Sequence, residues 1–401
     1  MWDKADKRII SVCEAMKPVF VRRLETLVNM DSGSDDYEEL NKKAAVLKTM
    51  CEDAGAAVEL EEAAPPRQGT YNIIAVWKGS GRAKIMYMAH YDTVWPKGEA
   101  AKRPFSLNGN IATGPGVNDR QNSVAGLPLF VDALVNTLQC RDFDTITVML
   151  NADEEKGSFG SRDLIMRLAG QHDVVYSTDG ATHNGDEIDT SARGTAYYDL
   201  YFKGVEAHSG SAPEKGRNAG YEMAFQIMQM RDLSNKERGT DVNWTMGSFG
   251  TKSNVIPGVA HAHANARITF KDEWERIEND IRERITTKLF PESEIRFEIK
   301  RARPPFEPNA ATDALAAKII ALSEGELGWP LRGRAAGGAN DTSYSFQTAP
   351  VAIDGFSLGG SNSHSLQEHY NLDHFVPRMY LWLRVAIETM KGNMVPLAKQ
   401  F

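Results

Sequence analysis

Ile85-Met86-Tyr87-Met88-Ala89-His90-Tyr91-Asp92 is the stretch on which the fold turns. Its first five residues are almost wholly apolar, as expected of a strand covered on both faces of a sheet. A histidine and an aspartate follow where such a strand leaves the sheet. Two further segments repeat the arrangement. Residues 145–150 run into Asn151-Ala152-Asp153-Glu154-Glu155, and residues 174–177 run into Thr178-Asp179-Gly180. Polar candidates therefore gather at the carboxyl ends of buried strands, the edge of an open α/β sheet where sites form.

Between the first two of these strands, residues 114–123 read G-P-G-V-N-D-R-Q-N-S. Two glycines and a proline bend the backbone, one acid (Asp119) follows, and an apolar helix is predicted over about 125–138. Upstream, Ile9, Val12, Met16, Phe20, Leu24 and Leu27 form a helical stripe, which Asp31-Ser32-Gly33-Ser34-Asp35 breaks. Ser34 or Asp35 is the expected cap of a second helix, with Leu40, Ala44, Leu47 and Cys51 on one face and Gly55 beyond its end. Strands are predicted at 57–61 and 72–77. The pattern changes after Arg193-Gly194. Strand 195–202, helix 212–230, strands 242–249 and 260–270, helix 273–289 and strand 294–300 make a β-α-β-β-α-β, ferredoxin-like unit. Pro304-Pro305 marks the return to helix 312–322, strand 351–353, the His364 loop and a last helix from about 376. The expected organisation is a catalytic domain of residues 1–192 plus 304–401, interrupted by a smaller domain at 193–303.

A chain of 401 residues exceeds one ordinary core, in keeping with two domains. A net charge of −8 without a basic cluster argues against a nucleic-acid surface. No apolar run approaches the ~18 residues of a membrane span. The first residues mix charges with apolar side chains at helical spacing, unlike a signal peptide. Cys13, Cys51 and Cys140 are odd in number and far apart, which points to reduced thiols and a cytoplasmic protein.

The candidates for chemistry are His90, Asp92, Asp119, Glu154, Glu155, Asp179 and His364. Two imidazoles with several carboxylates form an N/O ligand set suited to Zn²⁺, Mn²⁺, Co²⁺ or Ni²⁺. A pair of metals about 3.5–4 Å apart needs a bridging carboxylate, and Asp119 is the only acid in its loop. Neighbouring Glu154 and Glu155 point to different sides, so one can bind metal while the other accepts a proton from water. His261 and His263 alternate with alanines and read as a strand face. His172, His183 and His374 read as surface residues.

The motifs M-A-H-Y-D-T-V, G-P-G-V-N-D, D-E-E-K-G-S-F-G-S-R-D-L-I, K-G-V-E-A-H-S-G-S-A-P-E-K-G-R-N-A, S-N-V-I-P and G-G-S-N-S-H-S together resemble one family. It is the dinuclear zinc-dependent peptidase family of the aminoacylases and carboxypeptidase G, and the similarity is greatest to its glutamate carboxypeptidases. The resemblance runs from the first helix to Pro377-Arg378. It implies a mixed-sheet α/β zinc-peptidase catalytic domain with an inserted ferredoxin-like α+β lid and dimerisation domain. It further implies that His90 and Asp179 bind one metal, Glu155 and His364 the other, with Asp119 bridging. Asp92 would orient His90, and Glu154 would act as general base and then acid. His208 would reach a partner subunit's site and stabilise the oxyanion. Asn254, Arg267 and Arg120 would hold the substrate, Arg267 by its carboxylate. A cis peptide is implied at Asp119-Arg120. The implied cofactor is a divalent metal, Zn²⁺ first with Mn²⁺ or Co²⁺ as alternatives, one or two per chain. The implied assembly is a homodimer or higher homo-oligomer.

The pattern is broken in four places. Gln121-Asn122-Ser123, with Arg120 in front, replaces the family's Lys-Gly-Gly. Asp179 replaces a glutamate ligand, and Gly180 the proline after it. His369 occupies an acidic position of the family, with Glu368 one place earlier. These changes are either drift at positions of no consequence or the mark of one weak metal position, with a single or labile metal. The main expectation is a hydrolase that cleaves a C–N bond beside a carboxylate, as a glutamate carboxypeptidase or N-acyl amino acid amidohydrolase does. The second is an aminohydrolase acting on an aminoaryl carboxylate such as a nitroanthranilate. A non-catalytic binding protein on this fold is the third, and the retention of Glu154 with all five ligand positions weighs against it.

Overall fold

A computed structural model describes residues 2–180 and 186–397. His183 therefore lies outside the described residues. The chain divides into two compact units: Met1–Ser191 with Pro308–Ala336 and Asn340–Phe401, and Ala192–Glu307 with Gly337–Ala339.

In the first unit the strand Ala83–His90 alternates between two cores. Ile85, Tyr87 and Ala89 pack into one, Met86 and Met88 into the other. It is fourth in a six-stranded sheet ordered Ala57–Glu62, Tyr71–Lys78, Phe143–Asn151, Ala83–His90, Val174–Ser177, Ala352–Ile353. The first two junctions are antiparallel and the last three parallel. The register sets His90 beside Asn151 and Met88 beside Ser177. The chain segments carrying His90, Glu154 and Asp179 therefore leave the sheet along one edge.

The helix Lys7–Val28 starts at Asp6, which accepts the N–H groups of Arg8 and Ile9, and buries Ile9, Met16, Phe20, Leu24 and Leu27. The next helix, Tyr37–Asp53, is capped by Asp36 and not by Ser34 or Asp35. Ser34 is turned instead to Asp92, its hydroxyl donating to Oδ2 at 2.7 Å. His172 and His374 are buried, contrary to their reading as surface residues. His172 bridges Leu168 O and Thr147 Oγ1 at 2.7 and 2.8 Å, sealing the turn after the helix Arg162–Ala169.

The second unit is an antiparallel sheet ordered Asp241–Phe249, Val259–Ile268, Gly194–Lys203, Glu294–Arg303. This is the ferredoxin-like order. Ala260, Ala262, Ala264 and Ala266 share its buried face with Tyr198, Leu200 and Phe202, against the helices Ala219–Gln229 and Asp272–Arg284. The first of these helices is shorter than its apolar pattern suggests. Asn218 caps it through Gly220 N and Tyr221 N, and Pro213–Lys215 form a separate 3₁₀ turn. Among the described residues no helix is long and apolar enough to cross a membrane.

Candidate metal centre

Asp119 is held by its loop from behind. The Glu368 carboxylate accepts the backbone N–H groups of Gly116, Asn118 and Asp119 at 3.0, 3.0 and 2.9 Å. Gly116 has φ +72°, and a Cβ there would meet Thr93 Cγ2 at 2.6 Å, so the turn requires glycine. The peptide Asp119-Arg120 is cis. With its backbone fixed, Asp119 directs Oδ1 at His90 Nε2 (3.2 Å) and Oδ2 at His364 Nε2 (3.2 Å). Each oxygen thus faces a different imidazole.

Asp92 organises the other side. Its carboxylate accepts Glu154 N–H at 3.1 Å and Glu155 N–H at 3.2 Å, takes the Ser34 hydroxyl, and lies 3.3 Å from His90 Nδ1. The same group therefore orients the histidine and pins the turn that carries both glutamates. Glu155 Oε1 lies 3.1 Å from His364 Nε2. His364 sits at φ +62°, a left-handed conformation that a non-glycine residue rarely adopts without constraint.

Three overlapping groups have ligand atoms within 4.8 Å of one another: His90, Asp119 and Asp179; Asp119, Glu155 and His364; and His90, Glu154 and Glu155. Ligands about 2.0–2.1 Å from a tetrahedral ion lie roughly 3.3 Å apart. The separations of 3.1–3.2 Å around Asp119 fit such an ion on either side. The charges also fit. Burial opposes ionisation of Asp119, yet Arg120, His364 and His90 outweigh it and hold the carboxyl well below its ordinary range. Hydrogen bonds to Asp119 and Glu155 push His364 up to about 10. Burial works against the charge on His90, but Asp119, Asp92 and Asp179 together raise its pKa well above the ordinary value. This is a pocket that attracts positive charge.

One expected residue takes a different place. Arg120, expected on the substrate, is only 1% exposed. Its Nε–H donates to Asp179 Oδ1 at 2.9 Å and its Nη1 to Asn118 O at 3.2 Å, so the guanidinium is spent inside the site. Asp179 Oδ1 lies 3.9 Å from His90 Nε2. Arg120 thus places a fixed cation against Asp179 and, at 3.5 Å, beside Asp119 Oδ1, the oxygen that faces His90 and not His364.

The remaining candidates lie in the second unit. His208 is exposed, and its Nδ1 accepts the N–H groups of Gly210 and Ser211, both at 3.1 Å. That bonding leaves the proton on Nε2, a free donor. Asn254 is exposed beside it, its carbonyl accepting Ser209 N–H at 3.0 Å. Arg267 is half-buried on the strand Val259–Ile268 and donates to Asn265 Oδ1 at 3.3 Å. His261 and His263 both bond Asp199 Oδ1, at 2.7 and 2.9 Å. The acid supporting the Asp119 loop is Glu368; His369 lies in the short strand His369–Asn371. The sequence signal for it was its neighbourhood, one place from the family's acidic position.

Residues 190–293 match the family described as Peptidase dimerisation domain, and residues 72–227 match Peptidase family M28. Carboxypeptidase G2 of Pseudomonas sp. (strain RS-16) is 31% identical over 97% of this chain and 94% of its own length. The chain belongs to the M20 family of metallopeptidases. Its fold is likewise similar to solved M20-type structures. Aminopeptidase PepT from Bacillus cereus ATCC 10987 superposes with a TM-score of 0.79 at 20% identity, over 93% of this chain and 98% of that one. The M20 family metallo-carboxypeptidase Sso-CP2 from Sulfolobus solfataricus gives 0.67 at 14% identity, over 92% and 99%. As an M20 metallopeptidase the chain is a metal-dependent hydrolase of peptide or acyl-amino-acid bonds.

Proposed function

We propose that the chain hydrolyses a C–N bond next to a carboxylate, as a glutamate-carboxypeptidase-like exopeptidase or N-acyl amino acid amidohydrolase. The observation that carries the reading is Asp119, whose two oxygens face His90 and His364 at equal 3.2 Å distances. Asp119 would be shared between two metal positions, with His90 and Asp179 holding one ion and Glu155 and His364 the other. A divalent cation bound there, Zn²⁺ first and Mn²⁺ or Co²⁺ next, supplies Lewis acidity to the scissile carbonyl and to the attacking water. Glu154 accepts the proton of that water and returns it to the leaving nitrogen. Asp92 fixes the positions of His90 and Glu154 together. His208 donates Nε2–H to the developing oxyanion in a partner subunit's site, and Asn254 and Arg267 hold the substrate carboxylate.

The assembly is a homodimer or a multiple of it, formed through the domain at 193–303. Supporting this, the edge strand Asp241–Phe249 and the helix Ala219–Gln229 leave Met246, Phe249, Tyr221 and Met228 exposed. The compartment is the cytoplasm, in keeping with three free cysteines.

A second reading is favoured by Arg120. With a guanidinium against Asp179, a single ion on the Glu155–His364 side suffices for an aminohydrolase that releases ammonia from an aminoaryl carboxylate. One screen separates the two: N-acyl glutamates, folate-like conjugates and aminobenzoates, each with several divalent metals. Release of a free amino acid supports the first reading. Ammonia release with the aryl carboxylate intact supports the second, and no metal-dependent turnover of either class would overturn both.

A further inference from the structure

Lys43 lies on the buried stripe of the helix Tyr37–Asp53, beside Leu40, Ala44 and Leu47, where the helical period calls for an apolar residue. It is 1% exposed. Its Nζ donates to Ser32 Oγ at 2.7 Å and to Gln121 Oε1 at 3.2 Å, both neutral acceptors. Asp31 and Asp92 act on it through space, and no carboxylate pairs with it among the described residues. Placing an ammonium there without a counter-charge costs several kcal/mol, a cost that a leucine or methionine would not incur.

The contacts show what the polar end reaches. Gln121 lies two residues beyond Asp119 and turns its amide both ways: Oε1 accepts from Lys43, and Nε2–H donates to Tyr91 O at 3.2 Å. Tyr91 directly follows His90. Ser32 O accepts Thr93 N–H at 2.8 Å on the far side of the same turn. Lys43 thus stands at the junction of the 31–35 loop, the 90–93 turn and the loop carrying Asp119. Gln121 ties these segments together two residues from Asp119, whose Oδ1 lies 3.2 Å from His90 Nε2.

We propose that Lys43 is a positioning residue of the hydrolytic centre, holding the Asp119 loop in register with the His90–Asp92 turn through Gln121. The inference rests on the reading of His90 and Asp119 as metal ligands. Lys43→Met in the full chain should fold, keep the wild-type oligomeric state and melt no lower than wild type. It should lose 10- to 100-fold in kcat with KM within about threefold. The apparent Kd for Co²⁺ should rise at least tenfold, and the visible band of the cobalt-loaded protein should shift. Gln121→Leu breaks the same chain from its other end and serves if Lys43→Met fails to fold, with the same losses expected. In the double variant the losses should not multiply. Unchanged cobalt affinity, band and kcat in the variant that folds would overturn the proposal, as would fully independent effects of the two. A wild-type chain that binds no cobalt would instead overturn the metal reading beneath it.

Discussion

Arg120 Nε sits 2.9 Å from Asp179 Oδ1, the oxygen that also faces His90 Nε2 at 3.9 Å. One carboxylate oxygen is therefore shared between a fixed cation of the chain and the metal position proposed beside His90. An always-charged guanidinium at full burial competes with a metal ion for the same lone pairs. Arg120→Met removes the charge while filling the space. Metal content measured by elemental analysis after gentle purification should rise towards two ions per chain, from fewer in the wild type. Two tightly held ions in the wild type would show that Arg120 does not compete.

Glu154 is assigned a proton-transfer role, and its neighbour Glu155 a ligand role. The two separate experimentally. Glu154→Gln should keep wild-type metal content and lose about 10²–10⁴-fold in kcat, the usual worth of a general base. Glu155→Gln should lose metal as well as activity. Normal turnover in Glu154→Gln would remove it as the base.

Among the described residues Glu368 shows no hydrogen bond to a proposed ligand's side chain, yet it accepts the N–H groups of Gly116, Asn118 and Asp119 that shape the Asp119 loop. Burial raises its pKa against the pull of those bonds. Glu368→Gln halves the acceptors and introduces a donor facing N–H groups. Metal affinity should fall about 10- to 100-fold, as for other groups that support a ligand. An isothermal titration with Mn²⁺ or Zn²⁺ reads this directly; equal affinity would reduce Glu368 to a loop anchor.

These cases mark what the sequence could and could not disclose. His90, Asp119, Glu154 and Asp179 were legible because each ends a buried strand or follows a glycine-rich bend, and position along a chain carries that information. The ferredoxin-like order was legible for the same reason, from alternation and helical period. Glu368 acts on Asp119 across 249 residues; its place beside the family's acidic position is the one hint, and it does not name the partner. Arg120 is placed on the substrate by the resemblance alone, whereas the partner that draws it inward, Asp179, comes from another strand end. Lys43 carries no signal of its own in the sequence, because only the contact of its Nζ with Gln121, from a distant loop, sets it apart. His172 was misread because burial by a helix–sheet junction leaves no periodic trace.

His208 carries its proton on Nε2 because Nδ1 is occupied by two backbone donors. If that donor serves a partner's site, activity is divided between chains. Inactive His208→Ala and inactive Glu154→Gln, unfolded and refolded together, should form mixed dimers with one intact composite site. About a quarter of wild-type activity should return at equal mixing, since mixed pairs make up about half of the dimers and each has one intact site of two. No recovery, with mixed dimers verified by differential tags, would place His208 outside the reaction.

Burial lowers the pKa of Lys43 from the ordinary lysine value of 10.5 to about 7 in the folded chain. In the unfolded chain it is an ordinary lysine. Below pH 7 both states are protonated, so the full burial cost of the ammonium is felt. Between pH 7 and 10.5 the unfolded chain binds more protons than the folded one, and wild-type stability rises with pH on this account. Lys43→Met lacks the group and lacks the rise. The variant's advantage in metal-free denaturant unfolding should therefore be greatest near pH 6 and shrink by pH 10, by at most about 5 kcal/mol. A difference between variant and wild type that stays constant from pH 6 to 10 would mean that Lys43 titrates as an exposed lysine does, and that its ammonium has found a counter-charge.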